Sequence, residues 1–70
     1  MTVEELRQAL RRQPFVPFRL RMRNGEVYEI QARGEMALSP LDTEAMVNVG
    51  ETTRRIDPRE AVTLEPLEQG

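Results

Sequence analysis

The chain predicts a mainly β fold of α+β character, with an N-terminal helix and about five short antiparallel strands in a small barrel or strongly bent sheet. Three observations predict it. Phe18, Leu20 and Met22 alternate with Arg19, Arg21 and Arg23 at the period of a half-buried strand. Asn24-Gly25 supplies a hairpin turn directly after that run. Short apolar runs then recur down the chain, separated by glycine and proline signals.

The helix is expected over about 3–12. Thr2 is a good N-cap, and Glu5 stands three residues on, as in a capping box. Val3, Leu6 and Leu10 share one face, with Ala9 beside them. Glu4 and Glu5 lie at the positive end of the helix dipole, and Arg7, Arg11 and Arg12 toward the negative end. Pro14 stops the helix, because the residue before a proline avoids helical angles. So short a helix needs something to dock on. "QPFVPF" reads as the hinge that returns the chain to it, with Phe15 wedged between Pro14 and Pro17.

The first strand is expected over about 17–22 and the second over about 26–33. Their register follows from burial. A two-residue Asn24-Gly25 loop would set Leu20 opposite Glu29 and drive that carboxylate into the core face, since a one-residue slip flips every side chain. A three-residue loop, Arg23-Asn24-Gly25, pairs Leu20 with Tyr28 and Phe18 with Ile30 inside. Outside, it pairs Arg19 with Glu29 and Arg21 with Val27. Its geometry is a type I turn closed by a left-handed glycine bulge at Gly25.

Gly34 signals a bend in or after the second strand. Residues 35–38 read as a short third strand or a continuation of the second. Mixed signals run through 39–53; "SPLDTE" is ambiguous, and "AMVNVG" reads as a strand over about 45–49. A further strand is expected over about 53–56, then a helical turn over about 58–60 with Asp57 as cap and Pro58 in the first position. The last strand covers about 61–66, and a frayed tail is expected at 68–70.

Seventy residues make one small domain, 1–70, with no internal repeat or linker. A chain this short buries only about 60% of its unfolded surface, so a disulfide, a metal or self-association is the usual support. The chain has no cysteine and no histidine. Disulfides and thiolate metal sites are thereby excluded, along with the commonest general base. No cofactor or metal is expected. Ser39 is the only serine and reads as a turn or cap residue. Glu26, Glu29 and Glu35 belong to no metal or acid–base motif and read as solvated or ion-paired. An enzyme is not expected. No apolar run approaches the roughly 18–20 residues of a membrane span, and the acids in "MTVEELRQAL" do not suit a signal peptide. Cytoplasm is the default expectation.

The net charge is −2, but it is unevenly spread: seven arginines against four glutamates in 1–33, three arginines against eight acids in 34–70. Every cation is arginine. Arg19, Arg21 and Arg23 form a candidate stripe on the outer sheet face, joined by Arg11 and Arg12 from the end of the helix. This is the candidate partner or nucleic-acid site. The competing reading is a solvated face on which Glu29 neutralises Arg19. The basic half could also meet the acidic half of a second copy.

The run "MTVEELRQALRRQPFVPFRLRMRNGEVYEI", with the ending "IDPREAVTLEPL", resembles a group of short uncharacterised bacterial proteins. They share a capped helix, a QPF-x-PF hinge, an alternating strand and an Asp/Asn-Gly turn. The resemblance covers most of the chain outside 39–53 and implies no activity. The order of elements is also similar to the Sm-like small barrels, which form rings and bind RNA. Their signature places an aspartate a few residues before a Met-Asn pair. Here Asp42 precedes "AMVNV", where Val47 separates Met46 from Asn48, and Ile30 stands near a place where a glycine is expected.

The leading expectation is a non-catalytic interaction module that self-associates or binds a protein partner. The alternative is a nucleic-acid-binding small barrel that uses the arginine stripe.

Overall fold

The computed structural model describes residues 1–67. The expected tail at 68–70 lies outside the described residues. Helix α1 spans Val3–Arg11 and is followed by β1 (Phe18–Met22), β2 (Val27–Ile30), β3 (Met36–Leu38), β4 (Ala45–Val49), β5 (Thr52–Ile56) and β6 (Ala61–Pro66). Single 3-10 turns lie at Arg33–Glu35 and Pro58–Glu60. The six strands form two antiparallel three-stranded sheets, ordered β2-β1-β6 and β3-β4-β5. No ladder joins the sheets among the described residues, so the strands do not close into a hydrogen-bonded barrel there. No helix is long and apolar enough to cross a membrane among the described residues.

The capping logic of the helix is visible in its first turn. The Thr2 hydroxyl accepts a hydrogen bond from the Glu5 N–H, which satisfies one of the donors left free at a helix start. Leu6 and Leu10 are buried on the inner face. The far end is closed from a distance. The guanidinium of Arg33 donates to the Leu10 and Arg12 carbonyls and lies 5.6 Å from the centre of the Phe15 ring. A cation on the last carbonyls is favourable by the helix dipole as well as by hydrogen bonding.

The hairpin adopts the three-residue register. Phe18 pairs with Ile30, Arg19 with Glu29, Leu20 with Tyr28 and Arg21 with Val27. Gly25 sits at φ 93°, a conformation that glycine reaches without a Cβ penalty. The Gly25 N–H donates to the Met22 carbonyl, and the Met22 N–H to the Glu26 carbonyl. Burial along β1 alternates as the period of two requires, so Phe18, Leu20 and Met22 point inward.

The second strand is shorter than the expected 26–33. After Ile30 the Glu35 carboxylate takes the Gln31 N–H, and the Glu35 N–H bonds to the Ala32 carbonyl. These bonds turn 31–35 out of the ladder, so Met36–Leu38 becomes a separate strand in the other sheet. The ambiguous stretch 39–44 is a loop. The Ser39 hydroxyl accepts from the backbone N–H groups of Thr43 and Glu44, and Asp42 has φ 61°. Its carboxylate pairs with Arg7 of α1.

One core joins the two sheets and the helix. Leu6, Phe18, Leu20, Ile30, Ala45 and Val47 are its most enclosed members, with Met36 and Ala61 beside them. Replacing Ile30, which is wholly enclosed, by valine is expected to cost about 0.5–1.5 kcal/mol in urea unfolding. Val62→Ala, at an exposed position of β6, is expected to stay within about 0.5 kcal/mol. Equal effects at the two positions would contradict this core.

Candidate functional site

The outward residues of β1 carry the expected arginines, but the strand beside them supplies the opposite charge. Arg19 lies across from Glu29 in the ladder, and a guanidinium nitrogen sits 2.9 Å from its carboxylate. Arg19 also faces Glu65 on β6. Arg23, just past the strand, pairs with Glu60 at 2.8 Å. Arg21 faces Val27 on one side and Thr63 on the other and has no ion pair among the described residues. The stripe is therefore close to neutral.

Arg11 and Arg12 are exposed at the end of α1. They border a cleft that also holds Glu4, Glu5 and Leu64. Arg19 borders a different cleft with Glu29 and Glu65, and Arg23 a third. The five candidate arginines are thus dispersed over the surface, with acids beside them.

The charge asymmetry of the sequence is also resolved inside the chain. Arg7 pairs with Asp42 and Arg23 with Glu60, which joins the basic first half to the acidic second half. Arg23–Glu60 is an exposed pair of the kind that contributes little energy, and Arg7–Asp42 is partly buried. They still cancel the local field that would draw a polyanion.

The most connected polar group is one that the alternation argument did not single out. Glu26 accepts from the Asn24 amide at 2.6 Å and from the Tyr28 hydroxyl at 2.7 Å. Arg54 of β5 reaches it at 3.1 Å from the opposite sheet. Arg54 stands two residues before Ile56 and across from Val47, so the pleat turns it toward the inner face. That spacing was readable in "TTRRI", but an arginine on an inner face has meaning only once its partner is placed. The cluster lines a cleft of about 480 Å³ with Met22 and Ile56 on its apolar side.

Its electrostatics are those of a clamp. The Tyr28 hydroxyl bond, then the Asn24 bond and the charge of Arg54, hold the Glu26 carboxyl below its ordinary range. Burial, then the bond to Glu26, pushes the Tyr28 phenol above its own. A low carboxyl and a high phenol do not exchange protons near neutral pH. Asp57 is held low in the same way, first by the Arg59 side chain and then by the Arg59 backbone N–H. No group of three Asp or Glu side chains is placed to hold a metal among the described residues.

The other feature that sequence reading missed is the wiring of the 39–44 loop. The Ser39 hydroxyl and the Arg7–Asp42 pair fix it, and Leu41 is held at its apex, 82% exposed.

The Glu26 clamp has a pH signature. Its carboxyl lies low in the folded state, so its contribution is fully present above the unfolded value of about 4.3 and is lost as pH falls through the folded value. Glu26→Gln is expected to flatten the acid limb of stability, read by urea unfolding across about pH 2–7. An unchanged acid limb would contradict the clamp. No family model, curated protein or solved structure matches this chain.

Proposed function

We propose that the protein is a non-catalytic interaction module that works through protein–protein contacts, including contacts with its own copies. The observation that carries this reading is the outer edge of β5. Among the described residues no strand pairs there, and four of its five residues are exposed. The strand contains neither proline nor glycine. An uncovered edge of this kind is a template for another strand.

The other long edge strand is guarded. On β6, the Met1 ammonium donates to the Val62 carbonyl, and Pro66 has no N–H to offer a further strand. β5 has no comparable cover among the described residues. Its pairing with β4 runs Val47 to Arg54 and Val49 to Thr52 across a tight turn at Gly50-Glu51. Alternation then leaves the N–H groups of Thr53 and Arg55 on the free side.

The nucleic-acid alternative draws less support. Polyanion binding through the stripe needs the stripe's own cations to be uncompensated. Two of the three stripe arginines already face carboxylates of the same chain.

Sedimentation velocity tests the reading. Mass should rise above the 8.1 kDa monomer with concentration, up to about hundreds of micromolar. Thr53→Pro removes a free-edge donor without touching the β4 ladder, and it should return the protein to monomer. A strict monomer throughout would contradict self-association.

A further inference from the structure

β3 is also an edge strand with no partner on its outer side among the described residues, and the groove it borders differs in charge from the clefts around Arg19 and Arg23. A groove of about 820 Å³ runs between α1 and β3. Leu10, Met36 and Leu38 give it an apolar floor, and Arg7, Arg11 and Arg33 give it a cationic rim. No aspartate or glutamate among the described residues lines it. The clefts holding Arg19, Arg23 or Arg12 each contain acids beside the arginines, and Arg7 and Arg11 border the last of these on their other side. In a chain of net charge −2, a groove whose charged lining among the described residues is arginine only is a local reversal.

Two of these cations meet no carboxylate among the described residues, and the third is compensated. Arg11 has no ion pair among the described residues. Arg33 donates to the Leu10 and Arg12 carbonyls and meets no carboxylate among those residues. Arg7 is shared between Glu4 and Asp42.

The groove also exposes backbone. The Ser39 N–H donates to the Glu44 carbonyl, and Ala37 pairs with Met46. Alternation along an antiparallel ladder then turns the Leu38 N–H and carbonyl, and the Met36 carbonyl, toward the groove. The Met36 N–H is already engaged with Arg33.

From these three features we infer that the groove between α1 and β3 is a docking site for an extended acidic segment of a partner protein. The inference rests on the interaction-module reading and names a partner class for it. The segment adds as a fourth strand to the β3 edge, through backbone hydrogen bonds. Apolar residues at every second position settle on Leu10 and Leu38. Carboxylates between them meet the arginine rim, where bidentate contacts suit guanidinium groups.

The test is titration of the ¹⁵N-labelled protein with a blocked decapeptide of alternating glutamate and valine, at low salt and up to about 1 mM. Amide shifts should concentrate on Met36, Leu38, Arg11 and Arg33 and shrink as salt is added. The lysine–valine counterpart should not bind. N-methylation at alternate residues should abolish binding in one phase and spare it in the other, because only one set of peptide N–H groups faces β3. Arg11→Glu should weaken binding by about tenfold or more. No shifts at the top concentration, equal binding of the lysine peptide, or tolerance of both N-methylated phases would each overturn the groove assignment. Shifts confined to β5 would overturn it too, while leaving the interaction-module reading in place. A strict monomer that still binds the peptide in the groove would retain this inference and remove self-association alone.

Discussion

The inward face of β1 is the constraint on which the rest of the structure depends. Phe18, Leu20 and Met22 lie in the central strand of their sheet, with β2 on one side and β6 on the other. A domain this small has no second core to fall back on. Those three side chains must therefore point inward, and the pleat then sends Arg19 and Arg21 outward. The turn inherits the same demand. Only the three-residue loop places Tyr28 and Ile30 opposite Leu20 and Phe18, and Gly25 supplies the left-handed residue that closes it.

This order of causes changes how the arginines read. Their spacing follows from burial, and ladder geometry then hands Glu29 to Arg19. Arg23 finds Glu60 at the turn before β6. The positive first half and negative second half of the chain meet within one molecule. What is left over is local: a cationic groove under α1 and an open β5 edge. Both motivate the proposal of extended protein segments as partners, which bring their own backbone donors and acceptors.

The hairpin was legible in the sequence because its information is local. Alternation, a turn dipeptide and the cost of burying Glu29 suffice to set the register. The cap at Thr2 and the turn after Asp57 were legible for the same reason. The division into two sheets was not. It depends on Glu35 taking the Gln31 N–H, and on Arg33 reaching back to the helix end 23 residues away. The 39–44 loop was unreadable because Asp42 answers to Arg7, 35 residues earlier. Arg54 was half legible: its spacing from Ile56 sets the face, but Glu26 waits on the opposite sheet. Of the candidate site, the exposure of Arg11, Arg12 and Arg21 was readable. Their dispersal was not, since it is set by where the helix docks.

The central claim is that the spacing of the β1 arginines follows from core packing and that Arg19 and Arg23 are balanced within the chain, which supports the proposal of protein segments as partners. Fluorescence anisotropy with labelled random-sequence DNA and RNA, followed from low to physiological salt, tests it most directly. No specific complex and no steep salt dependence are expected. Tight binding that weakens steeply with salt, and is lost when Arg19, Arg21 and Arg23 are replaced by glutamine, would contradict it.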